Sequence, residues 1–204
     1  MKKYSCENFI EEIIELYQEA RIVNYPSSKL SRGRSRSISS LSEDLFAFYL
    51  SKLVKCNKIY IDQAITIEDS KTTIYPDIVV VRENKIISMI DLKMDLGWNR
   101  HGLFDMCLKN DELVKRSRGK YCKLKEGLDK NLVNLEFSND FSYDIVIISG
   151  KNNNKNILDD QIKKSLKFKS RVEVYLLSEN VHPNEYGIKK EDLMKEISID
   201  EDSF

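Results

Sequence analysis

Histidine and cysteine, which supply the ligands of most zinc sites, are scarce and dispersed in this sequence. Its two histidines, His101 and His182, are too few and too far apart to form a histidine metal cluster. The four cysteines are scattered, without the paired spacing of a zinc site or of a disulfide framework. We therefore expect buried or inert thiols in a reducing compartment, and a cytoplasmic location.

Long apolar runs and an excess of charge of one sign are also missing from the sequence. No run approaches the length needed to cross a bilayer, so we expect neither a signal peptide nor a membrane partner. Lysine and arginine total 33, as do aspartate and glutamate, so the net charge is zero. The chain as a whole is therefore not a generic polyanion binder, and a nucleic-acid surface requires local clustering of basic residues.

The sequence also lacks a glycine-rich phosphate-binding loop. Gly150-Lys151 follows a predicted strand, but a phosphate-binding loop needs a glycine five positions before that pair, where Ile145 stands. This excludes the most common sequence signature of a nucleoside triphosphatase.

The most informative stretch that is present is a predicted β-hairpin around Asn84. Two apolar segments of strand length, 78–81 and 86–90, flank a short polar turn. Asn84 suits the left-handed conformation that such turns require. Both segments are apolar at nearly every position, which predicts a sheet covered by helices on both faces.

The spacing within this hairpin brings polar residues together. Asp77 and Asp91 lie symmetrically about Asn84, so a loop centred there would place them directly opposite each other. Opposite residues on paired strands share a face, and Lys93, two positions after Asp91, points to the same side. A slip of one residue would move one aspartate to the other face.

Two carboxylates and an amine at the ends of buried strands have a defined chemistry. Adjacent carboxylates repel each other, and one holds a proton unless a cation intervenes. A hard divalent cation, Mg²⁺ above all, prefers oxygen ligands from one or two carboxylates, phosphate and water. A lysine beside that metal can orient a water or stabilise charge that develops on a phosphate.

Pro76-Asp77 followed by Asp91-Leu92-Lys93 resembles the signature of the PD-(D/E)XK nuclease superfamily. That superfamily includes many restriction endonucleases, resolvases and repair nucleases. The resemblance implies a metal-dependent phosphodiesterase on a mixed sheet flanked by helices. It implies that Asp77 and Asp91 ligate Mg²⁺, with Mn²⁺ as a substitute. Lys93 would position or activate water, leaving a 5′-phosphate and a 3′-hydroxyl. The alternative is that these residues are merely solvated strand ends.

Glu43 has two alternative roles in this interpretation. It lies in a helix predicted over 40–54, whose buried side is expected to consist of Leu41, Leu45, Phe48, Tyr49 and Leu53. Ser40 and Glu43 match the capping box, in which a serine and a glutamate satisfy free amide groups at a helix start. The nuclease resemblance implies instead that Glu43 reaches the metal, because many members carry a glutamate on the helix that precedes the sheet.

Two basic clusters are candidates for contact with a nucleic-acid backbone. The first contains Arg32, Arg34 and Arg36 in a serine-rich loop. The second runs from Lys115 to Lys125 and contains Lys115, Arg116, Arg118, Lys120, Lys123 and Lys125. Arginine side chains between serines suit phosphate oxygens. Solvated loops and helix ends are the alternative interpretation of both clusters.

The order of predicted elements indicates an α/β protein. Helices are predicted over 4–20, 40–54, 102–118, 158–168 and 190–197, and strands over 58–67, 78–81, 86–90, 143–150 and 171–177. We expect a restriction-endonuclease-like sandwich with a central mixed β-sheet flanked by helices, as the resemblance implies. One domain would span 1–204, with an N-terminal helix and basic loop (1–38), a core (39–178) and an acidic C-terminal extension (179–204).

Two functions from different classes follow from these residues. The first is a Mg²⁺-dependent endonuclease that cleaves DNA, with RNA as an alternative substrate, of the size of a small restriction or defence enzyme. Such enzymes often act as homodimers, so that two sites cut two strands. The second is a catalytically inactive nucleic-acid-binding or assembly protein on the same fold.

Overall fold

The chain forms an α/β fold in which helices cover both faces of one mixed sheet. The computed structural model describes residues 5–25, 27–97, 102–127, 129, 131–168 and 171–195. This part of the chain contains five helices and a sheet of eight strands. None of its helices is long and apolar enough to span a membrane.

The helices are α1 (Cys6–Arg21), α2 (Ser39–Leu53), α3 (Leu103–Ser117), α4 (Lys155–Ser165) and α5 (Lys190–Met194). The strands are β1 (Lys58–Ile61), β2 (Ile65–Ile67), β3 (Thr73–Ile74), β4 (Ile78–Arg82), β5 (Lys85–Lys93), β6 (Tyr121–Glu126), β7 (Asn131–Ser149) and β8 (Val174–Ser178). Their order in the sheet is β1-β4-β5-β7-β6-β2-β3, and β8 pairs with β7.

The long strand β7 organises the sheet. Its first half pairs antiparallel with β6, and its second half pairs parallel with β8. On its other side β7 runs parallel to β5, which in turn pairs antiparallel with β4. The predicted strand–helix–strand unit is present as β7–α4–β8. The carboxyl ends of β5, β7 and β8 therefore meet at one edge of the sheet.

The sheet separates two hydrophobic cores, one on each face. Ile78, Val80 and Ile90 face the core formed with α1, α2 and α5. Val79 and Met89 alternate with them and face the core formed with α3 and α4. Burying an aliphatic side chain of this size stabilises the fold by about 1.5–3 kcal/mol. Burial on both faces explains why the central strands are apolar at nearly every position.

The predicted strand over 58–67 is wrong in one respect, because it is two strands. Asp62, between them, adopts a left-handed conformation with φ of 48°. This turn separates β1, which pairs with β4, from β2, which pairs with β3 and β6. A broken hydrophobic alternation was the local sign of the turn.

The region between α3 and residue 143 contains more strand than predicted. In β6, Cys122 and Leu124 are buried while Tyr121, Lys123 and Lys125 are exposed. This alternation is typical of a half-buried strand. Because of its lysines, this segment was predicted to be part of a basic cluster and not a strand. The first half of β7, from residue 131 onward, was missed for a similar reason, since its outer face is polar.

Candidate active site

The hairpin turn between β4 and β5 is tighter than the sequence analysis assumed. Glu83 and Asn84 both have positive φ, 51° and 62°, so they form a two-residue turn of the kind that suits paired strands. Arg82 therefore pairs with Lys85. If this register continued along the hairpin, Asp77 would face Ile90 rather than Asp91.

A β-bulge at Ile87 restores the register in which the two aspartates meet. Val81 pairs with Ile86, whereas Val80 pairs with Ser88, so Ile87 is an extra residue on β5. Beyond the bulge the pairing runs to Ile78 and Ile90, and one step further Asp77 lies beside Asp91. The expected juxtaposition thus arises from a tight turn and a bulge together, because a bulge shifts one strand by one residue against its partner.

The Asp77 carboxylate is held by two donors from β5. Its Oδ2 atom accepts hydrogen bonds from the backbone N–H of Leu92, at 2.8 Å, and from Nζ of Lys93, at 3.1 Å. The Asp77 and Lys93 side chains are 22% and 32% exposed, so a ligand in solvent can reach the pair. Asp77 and Lys93 therefore form an ion pair that is fixed by the backbone and remains open on one side.

The Asp91 carboxylate is more deeply placed and has a partner that the sequence analysis missed. The hydroxyl group of Tyr143 on β7 donates a hydrogen bond to Oδ1 of Asp91 over 3.0 Å. Burial raises the pKa of Asp91, the Asp77 charge raises it further, and Lys93 and the Tyr143 hydroxyl lower it. Burial and the Asp91 charge hold the pKa of Tyr143 far above its ordinary value, so its hydroxyl remains a donor.

Tyr143 could have been found only from the strand register. Asp91 pairs with Ile145 across the parallel β5–β7 ladder, so Tyr143 lies two residues back along β7, on the same face. Diagonal neighbours of this kind are within reach of aromatic side chains. The sequence predicted the strand but gave no information about which strand lies beside β5.

The predicted capping box at Ser40 and Glu43 does not form. Helix α2 begins at Ser39 and its N-cap is Ile38, so Ser40 lies inside the first turn. The Ser42 hydroxyl instead donates to the carbonyl groups of Ile38 and Ser39, both at 2.8 Å. Because the cap lies two residues earlier than predicted, Glu43 has no capping role.

Glu43 faces the candidate site from α2. Burial raises its pKa most, the Asp77 and Asp62 charges raise it further, and Lys93 lowers it. The Glu43 carboxyl group therefore lies within electrostatic range of Asp77, Asp62 and Lys93. Glu43 also lies one helical turn before Ala47, which is buried against the sheet.

The predicted buried side of α2 is correct only in part: Tyr49 is buried, and Leu45 and Leu53 pack partly buried against the same core. Leu41 and Phe48, expected in the core, are 51% and 47% exposed, whereas Phe46, Ala47 and Leu50 are buried. Leu41, Leu45 and Phe48 have the same helical spacing as the residues that are buried, so periodicity alone could not distinguish the two stripes.

Asp62 is a further acidic residue at the site that the sequence analysis did not select. Its backbone N–H donates to the carbonyl oxygen of Asp77 over 2.9 Å. This hydrogen bond connects the left-handed turn after β1 to the start of β4. The Asp62 charge raises the pKa of Glu43 and so adds to the negative potential of the site.

The donor set of the site fits a hard divalent cation. Asp77, Asp91 and Glu43 offer carboxylate oxygens, and Lys93 offers a compensating charge. Within the described ranges, no three histidine, cysteine, aspartate or glutamate side chains are grouped closely enough to enclose a metal ion. The chain would thus supply one or two carboxylates and leave the other positions to phosphate and water, which is the usual arrangement for Mg²⁺.

The first basic cluster lies in the loop between α1 and α2. Arg32 and Arg34 are exposed, and Arg36 donates to the backbone carbonyl of Glu19 over 2.9 Å. Among the described residues, none of these three arginines forms a salt bridge with a carboxylate. Their charges are therefore available to a phosphate backbone.

The second basic cluster is partly neutralised within the chain. Lys115 pairs with Asp111 one helical turn earlier, and Lys120 pairs with Asp69 at 3.1 Å. Arg116 is exposed at the end of α3, and Arg118 is partly buried just after it. The first cluster therefore retains a larger share of its positive charge than the second, since ion pairs with carboxylates reduce the potential of the lysines.

No protein-family model, no curated protein and no solved structure gives a significant match to this chain. Its function therefore has to be inferred from the fold and from the geometry of the site.

Proposed function

We propose that this protein is a metal-dependent endonuclease that hydrolyses phosphodiester bonds of DNA on a restriction-endonuclease-like fold. The observation that carries the proposal is the convergence of Asp77, Asp91 and Lys93 at the carboxyl end of β5, with Glu43 facing them from α2. Two independent features, the Ile87 bulge and the Tyr143 hydrogen bond, support that convergence. Neither is needed if the aspartates only solvate strand ends.

Each residue has a distinct role in the proposed reaction. Asp77 and Asp91 would hold Mg²⁺, with Mn²⁺ as a substitute, and Glu43 would assist. When bound there, the metal would neutralise charge and polarise the scissile phosphate. Lys93, oriented by Oδ2 of Asp77, would position the attacking water or stabilise charge on the phosphate. The expected products are a 5′-phosphate and a 3′-hydroxyl.

The substrate backbone would be held by the arginine loop. Arg32, Arg34 and Arg36 carry charges that no described carboxylate neutralises, so binding should weaken steeply as salt rises. Double-strand cleavage by one site per chain would require two copies, so we include a homodimer in the proposal. RNA is the alternative substrate, so cleavage of RNA has to be compared with cleavage of DNA.

A second candidate function is favoured by one observation. The direct contact between Lys93 and Asp77 already satisfies both charges without a metal ion. A nucleic-acid-binding or assembly protein without catalysis would keep such an ion pair as a structural feature. It would bind through the same arginine loop, but independently of Mg²⁺.

Metal titration separates the two candidates. We would titrate Mg²⁺ and Mn²⁺ into the protein by calorimetry, alone and with duplex DNA, and compare Asp77→Asn, which keeps an oxygen to accept from Leu92 N–H. Asp44→Asn is a matched control on the exposed side of α2. The nuclease proposal expects metal binding and cleavage in wild type and in the control, and loss of both in Asp77→Asn or with EDTA.

Two outcomes would reject the nuclease. Cleavage that persists in Asp77→Asn, after contaminating nucleases are excluded, would show that the site is not catalytic. DNA binding that is salt-dependent but identical with and without metal, and without cleavage, would support the non-catalytic alternative.

A further inference from the structure

A cavity of about 580 Å³ lies on the other face of the sheet, toward the start of β5. The end of α2 and strands β4, β5, β7 and β8 enclose it. Leu50, Val80 and Ile90 provide apolar walls. Its volume lies within the range of cavities that hold small organic ligands, and ligand sites of this kind combine apolar walls with a few polar groups.

The polar group at the floor of the cavity is Asp144. Its Oδ2 atom accepts hydrogen bonds from the hydroxyl groups of Ser142, at 2.9 Å, and Ser88, at 3.1 Å. A backbone hydrogen bond from Glu173 also stabilises the ionised form. Since a carboxylate has about four acceptor positions, one remains for a ligand.

Asp144 has no cationic partner within the described part of the chain. Burial raises its pKa to about 6, against the lowering effect of the two serines. The group is therefore mostly ionised above neutral pH, in surroundings where an unpaired charge is costly. A donor from a ligand would stabilise it.

Three cations stand at the rim of the same cavity: Lys55, Arg82 and Arg171. Nε of Arg82 donates to the carbonyl of Lys55 over 2.6 Å, and Nη1 of Arg171 donates to the carbonyl of Asp140 over 2.8 Å. These backbone contacts fix both guanidinium groups and leave further N–H donors on each. Glu173, an acidic residue that also lines the cavity, accepts from the Tyr175 hydroxyl over 2.6 Å.

We propose that this cavity binds a nucleoside monophosphate whose base carries an exocyclic amino group, such as CMP. The amino group would donate to Asp144, the flat base would lie between the apolar walls, and the phosphate would meet the rim cations. Carboxylates accept from the cytosine amino group in protein–nucleic acid contacts. Arginine recognises phosphate through several N–H groups at once. The inference does not depend on the proposed nuclease activity.

The test compares ligands that differ by one group. At pH 8 and low salt, calorimetry with CMP, UMP and cytidine should show CMP binding most tightly. UMP presents an oxygen where CMP presents the amino group, so we expect it to bind about tenfold or more weakly. Cytidine lacks the phosphate, so we expect a loss of about tenfold.

Two variants assign these effects to residues. Asp144→Asn places an amide donor at the floor, so the preference should invert in favour of UMP. Arg82→Gln should weaken CMP binding toward the affinity of cytidine and leave the CMP-to-UMP ratio unchanged. Lys109→Gln, an exposed lysine of α3, is the control for lost positive charge. Circular dichroism and thermal melting establish that each variant is folded.

The proposal is overturned if folded wild-type protein shows no binding of CMP at millimolar concentration. It is also overturned if CMP and UMP bind equally, or if Asp144→Asn leaves their ratio unchanged. Asp77→Asn should not alter CMP binding, so failure of the nuclease proposal and failure of this one are distinguishable.

Discussion

Asp91 and Asp144 lie on neighbouring strands of one sheet but in different surroundings. Burial raises the pKa of both carboxyl groups. Near Asp91 the other charges are Lys93 and Asp77, whereas Asp144 is held by the hydroxyl groups of Ser88 and Ser142. The free-energy cost of burying a carboxylate is thus offset by a cation at Asp91 and by neutral hydrogen-bond donors at Asp144.

This difference suggests what each site can accept. Two carboxylates that already share one lysine can accommodate a second, harder cation with its phosphate ligand. A single carboxylate fixed by hydroxyl groups, in an apolar cavity, is suited to one donor on an organic molecule. The four predictions below test this contrast, in order of decreasing expected effect.

Insertion of an alanine between Met89 and Ile90 should abolish the proposed cleavage. The added residue would pair with Ile78, so Asp77 would lie opposite Ile90 and Asp91 would turn to the other face of the sheet. We expect activity to fall by about 10³-fold or more. Cleavage assays measure this, after hydrogen exchange has established that the variant is folded.

Deletion of Ile87 is the control, since it removes the bulge but leaves Asp77 opposite Asp91, so this variant should remain active. A folded insertion variant that still cleaves would contradict the requirement for this register.

Lys93→Met should reduce cleavage by about 10²–10³-fold, because it removes the group that orients water or stabilises the phosphate. The same assay on Asp144→Asn should give wild-type rates, since that carboxyl group lies in the other site. Equal losses in both variants would mean that the two sites are not independent.

Asp144 should make stability depend on pH. Its pKa is about 6 in the folded protein, against an ordinary value of 3.8, so the folded state binds the extra proton more tightly. The stabilisation of the folded state by protonated Asp144 is complete below about pH 4. It is lost as pH rises through 6. The free energy of unfolding should therefore fall by about 3 kcal/mol over that interval.

Urea denaturation between pH 4 and pH 7 measures this dependence, and Asp144→Asn should remove it. Asp140→Asn, on the exposed part of the same strand, is the control. An unchanged profile in Asp144→Asn would show that this carboxyl group has an ordinary pKa.

Tyr143→Phe should have the smallest effect. Loss of its hydrogen bond destabilises the ionised form of Asp91 by about 1 kcal/mol, so the pKa of Asp91 rises. Metal binding requires the ionised form, so the acidic limb of the pH–activity profile should move up by about 0.7 pH units. Tyr121→Phe, which changes an exposed tyrosine on β6, should leave the pH–activity profile unchanged. A shift of equal size in Tyr121→Phe would contradict the role of the Tyr143–Asp91 hydrogen bond.

The sequence predicted the elements of the candidate site but only part of its surroundings. The spacing of Asp77, Asp91 and Lys93 indicated one face of one hairpin, and the structure brings them together. Tyr143 and Asp62 could not be predicted in the same way. Their proximity depends on strand order and on a left-handed turn, and neither leaves a local pattern.

Several predictions from the sequence were wrong for the same physical reason. The two faces of α2 carry similar apolar stripes, so only packing against the sheet determines that Leu50 is buried and Leu41 is exposed. The half-buried strand β6 alternates lysines with apolar residues, and its partner β7 had to be known before the lysines could be placed. Long-range contacts override local preference at such positions.

By itself, the sequence determined the class of the fold and the chemistry available to it. Periodicity of apolar residues specifies helices and strands, and strands that are apolar on both faces require helices on both sides. The tertiary structure alone decided the Ile87 bulge, the exposure of Leu41 and Phe48 on α2, and the cavity above Asp144. Each of these depends on which strands are neighbours and on how they are packed, which no short stretch of sequence encodes.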